Sequence, residues 1–223
     1  MAAWEIELDA ALDKSRKIGT RERNKNDKLR RIKSSALELF VSKGFDDTTT
    51  REIASAAGVG LGTVFVYAET KRDLLFLIVN DDLEDCVNRS IQACSTERSL
   101  FQNIMAILGI HYEYFSRLPV LSRQALREMY FYQSGKQAER FMRTRERLSG
   151  LLERLIEEAS VARVIHSDES TQAIAQTIFA IYQVDLRRWL STDDLNLDSA
   201  MEHLGHQLKV LMKGLSPRPE ALA

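Results

Sequence analysis

The stretch from Thr50 to Lys71, TREIASAAGVGLGTVFVYAETK, leaves a chain few ways to fold. Ile53, Ala57, Val59, Val64 and Tyr67 stand where two short helices crossing at a tight turn must bury apolar contact. Ala54 falls where a small side chain lets the helices approach, and Gly58 where the turn requires a positive φ. Agreement at these seven positions marks a helix-turn-helix rather than an ordinary helical hairpin. Thr49-Thr50-Arg51-Glu52 is a capping-box pattern that starts the first helix, expected over 51–57. Gly58-Val59-Gly60 breaks it and the second helix runs over 61–67. GVGLGT also looks like a glycine-rich nucleotide loop, but a dinucleotide fingerprint needs a preceding strand, and here an amphipathic helix precedes.

Around this motif the periodicity is helical nearly everywhere, and no stretch alternates as a strand does. Leu29, Ile32, Ala36, Leu39 and Phe40 predict a helix over 27–43 that Gly44 ends. Thr70 can cap a helix carrying Leu74, Leu75, Ile78, Val79 and Leu83, and further helices are expected at 99–116, 119–131, 136–160, 169–190 and 198–214. The expectation is an all-α chain in three parts: an extension with a basic arm over 1–26, a helix-turn-helix domain over 27–72, and a helical body over 73–223.

A formal charge of −1 argues against a nucleic-acid binder until its distribution is considered. Between Lys14 and Leu75 there are fourteen Lys and Arg against eight Asp and Glu, a net of +6, and residues 14–33 alone hold ten basic groups against two acidic ones. A basic end on an acidic body suits a protein that meets phosphate at one end only.

The acidic start, MAAWEIELDAALDK, is unlike a secretory signal, and LLFLIV at 74–79 is far shorter than the roughly 20 residues a span needs. The chain is therefore expected in the cytoplasm without membrane contact. Cys86 and Cys94, eight apart, read as small buried hydrophobes, and the sequon at Asn88 lacks a secretory context. Four scattered histidines form no metal-ligand spacing, and no nucleophile motif is present, so no enzyme, metal or cofactor is expected.

The segment GFDDTTTREIASAAGVGLGTVFVYAETKRDLL, preceded by a helix with ALELF, resembles the N-terminal DNA-binding domain of the TetR family of bacterial transcriptional regulators. The close resemblance covers roughly residues 28–75; the rest matches in helix count and length and in WLSTDDLNLDSAMEHL near the end. It implies a homodimer whose heads bind double-stranded operator DNA and whose bodies bind a small-molecule effector, typically as a repressor. Carried over by position, Thr49, Thr50, Thr63, Tyr67 and Lys71 would touch phosphate or bases. Two positions depart from the pattern: Phe65 stands where the family usually has Tyr, and Ala68 where it usually has a core Phe.

The helix LGTVFVYA lacks the Arg, Asn and Gln that grip base edges. Leu61, Thr63 and Val66 can offer methyl groups to thymine, Thr63 and Tyr67 can hydrogen-bond, and Gly60 and Gly62 let the backbone approach the duplex. Phe65 is counted with the DNA-binding set, while Lys71, Arg51 and the basic arm supply phosphate contacts.

In the body, Leu197, Met201, Leu204, Leu208, Leu211 and Leu215 recur every three or four residues as a seam. With Phe179, Tyr182 and Leu186 of the preceding helix, the residues Leu204, Leu208 and Leu211 are expected at a four-helix dimer interface, and Asp185 beside Arg187 and Arg188 in an ion pair there. The aromatic and methionine-rich middle helices suit an apolar pocket, for which Phe101, His111, Tyr112, Phe115, Met129, Tyr130 and Tyr182 are the candidate contacts. The alternative is a ligand-independent regulator whose aromatics simply fill a core.

Overall fold

A computed structural model describes residues 20–214, with side chains described from Glu22 onward. Nine α-helices and no strand occur among the described residues. The chain forms two compact units that divide between Leu75 and Phe76.

The first unit holds α1 (Thr20–Ser42), α2 (Thr50–Ala56), α3 (Leu61–Tyr67) and the first turn of α4 (Lys71–Ala93). α1 begins seven residues before the expected start, because side chains such as Glu22, Arg23 and Lys25 favour helix without any apolar repeat to announce it. Part of the expected basic arm is thus helical and exposed; residues 1–19 of it lie outside the described residues. Ile32, Ala36 and Phe40 of α1 pack into a core with Ile53, Ala57 and Val64. The capping box is present: the Glu52 amide donates to Thr49 Oγ1 and the Thr49 amide to Glu52 Oε2. At the head of α4 the Asp73 amide donates to Thr70 Oγ1 while Asp73 Oδ2 accepts from the Glu69 and Thr70 amides.

The second unit holds the rest of α4 with α5 (Leu100–Arg117), α6 (Pro119–Met129), α7 (Ala138–Val161), α8 (Thr171–Leu190) and α9 (Leu197–Lys213). α8 packs against α5, α6, α7 and α9. Arg140 of α7 is clamped by Asp81 and Glu84 of α4, and Arg89 of α4 by Glu113 of α5. α5 and α9 approach closely at Gly205, where an added Cβ would lie 3.4 Å from Met105 Cε and 3.5 Å from the Phe101 ring.

The leucine seam differs from expectation. Within one chain Leu204 and Leu208 are 0% and 1% exposed, and Phe179, Tyr182 and Leu186 are buried too, so they have almost no surface left to give a partner. A heptad repeat fixes which residues share a face, and here that face is already covered by α5 and α8. Leu211 is half-buried, and Leu215 lies outside the described residues. Asp185 likewise turns inward: its carboxylate, fully buried, accepts from Tyr112 Oη at 2.7 Å and pairs with Arg188 at 2.9 Å and His203 at 2.7 Å.

Cys86 and Cys94 are free thiols, and burial pushes Cys86 up to about 12, which leaves it unreactive. No helix among the described residues is long and apolar enough to cross a membrane, and no group of His, Cys, Asp and Glu among them could hold a metal ion.

Candidate nucleic-acid interface and ligand cavity

The turn between α2 and α3 is held from outside as well as by its own residues. Gly58 has φ +61°, the left-handed region that a β-branched side chain enters only with strain. Arg31 of α1 donates from Nη1 to the Ala57 carbonyl at 2.9 Å, and a Cβ on Gly58 would stand 3.2 Å from the same atom. Buttressed in this way, α3 buries Val64 and turns Phe65 and Val66 to solvent, at 41% and 63% exposure. Leu61 and Thr63 are half-buried beside them, and Gly60 and Gly62 have open space where a Cβ would be. Thr49, Thr50 and Arg51 lie together at the α2 N-terminus.

Two of the named polar groups are already engaged. Tyr67 Oη donates to the Lys25 carbonyl at 3.3 Å, fastening α3 to α1. Lys71 Nζ donates to the Asp46 carbonyl at 2.8 Å and sits 4.6 Å from the centre of the Phe45 ring. Ala68, the other departure, is buried at 1% exposure with nothing larger in its place. Glu52, bonded to Lys43 and then to Thr49, is held down to about 2 and so stays ionised as the reciprocal cap.

The second unit contains a cavity of about 600 Å³ between α4, α5, α6, α7 and α8. Its wall is largely apolar, with Leu83, Val87, Phe115, Met129, Phe141 and Leu148 among its residues. Of the expected ligand contacts, His111, Phe115, Met129, Tyr130 and Tyr182 line it. Phe101 and Tyr112 do not. Phe101 lies against Gly205 with Lys209 Nζ 5.2 Å over its ring, and Tyr112 is fully buried, stacked 5.2 Å from Trp189 and bonded to Asp185. Helical spacing put six of the seven on the middle helices and Tyr182 on the helix before the last, but could not say which side of α5 faces the void.

Arg145 and Arg187, which the sequence reading did not place in the pocket, also line it. Arg145 lies 5.3 Å over Phe179, and Arg187 lies 5.7 Å over Tyr130 while donating to Gln183 and to the Leu126 carbonyl. Burial lowers the affinity of Arg187 for its proton, and the nearby Arg145 charge adds to this. Neither guanidinium has a carboxylate partner among the described residues. This unexpected pair of cations, Arg187 half-buried and Arg145 exposed, is visible only after α7 and α8 are placed side by side, since the two arginines stand far apart in the chain.

Residues 32–78 match the profile of the bacterial regulatory proteins of the tetR family. A curated relative, the fatty acid metabolism regulator protein of Bacillus subtilis (strain 168), is 20% identical over 109 residues, which are 48% of this chain and 56% of that protein, so the chain spans about half the length of the curated relative it matches. Among solved structures, FadR of Thermus thermophilus, a TetR-family transcriptional repressor in complex with lauroyl-CoA, is similar with a TM-score of 0.65 and 23% identity, over 85% of this chain and 96% of that one. FadR of Bacillus subtilis in complex with stearoyl-CoA is similar with a TM-score of 0.63 and 16% identity, over 83% of this chain and 98% of that one. A putative TetR-family regulator of Syntrophomonas wolfei gives 0.65 and 22% identity, over 85% and 97%. The chain therefore carries a tetR-type helix-turn-helix head at residues 32–78 and an all-helical body of the fold found in these structures.

Proposed function

We propose that this chain is a TetR-family transcriptional regulator, a homodimeric repressor whose hold on its operator is released when an amphipathic anion fills the cavity of the body. The observation that carries the reading is the combination of an apolar cavity of about 600 Å³ with Arg145 and Arg187, two cations without a carboxylate, at its wall. An apolar tail would occupy the space between Leu83, Phe115 and Phe141 while an anionic head meets the guanidinium pair. Ligands of that chemistry, lauroyl-CoA and stearoyl-CoA, occupy the two similar FadR structures, and long-chain acyl thioesters are the class proposed here. An open cavity supports this reading over a ligand-independent regulator, whose aromatics would fill a core.

At the DNA, the exposed edge of α3, Leu61, Thr63, Phe65 and Val66, would enter the major groove, with Gly60 and Gly62 admitting the backbone. Thr49, Thr50 and Arg51 would meet phosphate at the α2 N-terminus, and Lys71 and Tyr67 would do so only beside the internal bonds they already make. Two reading helices must present themselves roughly 34–36 Å apart, which requires two heads. The dimer face suggested by burial is the outer stripe of α8, Ile174, Thr177, Ile181, Val184 and Arg188, at steps of three and four, with Val184 69% exposed, together with the exposed Val210 of α9.

The test is an electrophoretic shift on operator DNA with and without lauroyl-CoA. The shift should weaken steeply with salt and vanish on adding the acyl-CoA, and Arg145→Ala with Arg187→Ala should raise the concentration needed by at least about tenfold. An operator complex indifferent to lauroyl-CoA would remove the effector from the reading.

A further inference from the structure

Several polar groups at the cavity wall are spoken for. Thr144 Oγ1 donates to the Arg140 carbonyl at 3.0 Å and Gln183 Oε1 accepts from Arg187 at 2.8 Å. His111 and Tyr182 are different. Each is 2% exposed, both line the cavity, and their rings meet edge to face with centres 5.9 Å apart. His111 Nδ1 lies 3.0 Å from the Ile107 carbonyl, which can only accept, so the ring proton sits on Nδ1. Burial also brings the ring down to about 4, so it is neutral near pH 7 and Nε2 presents a bare lone pair. No hydrogen bond among the described residues uses that Nε2 or the Tyr182 hydroxyl. Burial pushes the Tyr182 phenol up, so it remains an O–H able both to donate and to accept.

A ligand that displaces water from such a wall must replace its hydrogen bonds or lose affinity. A plain alkyl chain replaces neither. A carboxylate, ketone or thioester carbonyl presents only lone pairs and can satisfy Tyr182 but not His111 Nε2. A hydroxyl serves both, donating to Nε2 and accepting from the phenol. We infer that His111 and Tyr182 are a specificity pair that selects an amphiphile carrying a hydroxyl within its apolar portion, a hydroxylated acyl chain in preference to the saturated one. The inference rests on the cavity being the effector site and names the ligand class that the site prefers.

The experiment is calorimetric titration of the full-length protein with lauroyl-CoA and with lauroyl-CoA derivatives bearing one hydroxyl at successive carbons. At least one hydroxylated derivative should bind wild type about tenfold more tightly than lauroyl-CoA. His111→Phe and Tyr182→Phe, each with its helical circular dichroism and melting compared with wild type, should erase that advantage, so that each variant binds the hydroxylated derivative and lauroyl-CoA alike. If every derivative binds wild type no better than lauroyl-CoA, or the advantage survives in both variants, the specificity pair is refuted while the cavity remains the effector site. If wild type binds none of the thioesters, or Ser149→Trp at the cavity wall leaves all binding unchanged, the effector reading fails and takes the inference with it.

Discussion

The two units use the same kind of helix but turn their chemistry in opposite directions. In the head, Ile53, Ala57 and Val64 fill the interior, and what is left to meet a partner is the outer edge of a seven-residue helix with Phe65 and Val66 in solvent. In the body, polar groups go inward: the Asp185 carboxylate, the His111 ring, the Tyr182 phenol and half-buried Arg187 all stand among apolar helices, several of them around a void. A device that reads an extended polymer has to present itself on a convex surface. One that senses a small amphiphile, as proposed for the body, has to keep unpaired groups in its interior, at some expense of stability. The head should therefore tolerate changes on its functional face, whereas changes at the functional groups of the body should move stability and function together.

The largest expected effect separates core from interface in the body. Leu204→Ala should cost about 2–5 kcal/mol in urea unfolding, because Leu204 is fully buried within one chain, and should leave the sedimenting species unchanged. Val184→Glu should do the reverse, splitting the proposed dimer with little change in the fold of each chain, since Val184 is 69% exposed. A Leu204→Ala protein that sediments as a monomer with undiminished stability would return the seam to the interface.

That seam also shows how legible the chain is. The head could be read from sequence because its geometry is local: a cap at Thr49, a positive φ at Gly58 and buried positions between them all fall within a span of 22 residues, and the structure supplies each. In the body, helix existence was legible within a few residues at each end, because apolar periodicity survives any packing arrangement. Facing was not. Phe179, Tyr182 and Leu186 share a stripe whether it meets a partner, a ligand or α5, and only the placement of α7 and α9 beside α8 decides. Arg145 and Arg187 were missed for the same reason: nothing in their neighbouring residues signals that two cations on different helices converge on one void.

Acid should strike the body before the head. The folded pKa of His111 is about 4 against an ordinary 6.5, so the unfolded chain takes up the proton first; the stability is complete above about pH 6.5 and falls as pH drops towards 4, by as much as about 3 kcal/mol. His111→Phe should flatten that stretch of the profile, measured as urea midpoints between pH 7.5 and 4.5. Glu52 in the head is held down to about 2 against 4.5, so its contribution is intact above the ordinary carboxylate range and is lost only below it. A wild-type midpoint that does not move between pH 7 and 5 would mean that His111 is already solvated in the folded chain.

A smaller effect is expected at the cap of the head. Thr49→Ala removes the acceptor of the Glu52 amide and should cost about 1 kcal/mol, with operator affinity reduced through a looser α2 and through any phosphate contact that Thr49 makes. Thr49→Ser keeps the oxygen and should restore most of the stability.

The smallest change in stability, and the sharpest test of what α3 reads, comes from Val66→Ala. Val66 is 63% exposed, so trimming it should alter unfolding by no more than about 0.5 kcal/mol. If α3 reads sequence through methyl contacts with thymine, removing two methyl groups should weaken the operator complex by about 1 kcal/mol, some fivefold, and leave binding to random DNA unchanged, because phosphate contacts ignore the bases beneath them. Replacing thymine by uracil opposite α3 should weaken the wild-type complex by a similar factor and add little to the Val66→Ala loss, since both changes break the same contact. Should the variant lose operator and random DNA equally, Val66 serves general groove fit, and base choice must reside in Arg51 or in the deformability of the site.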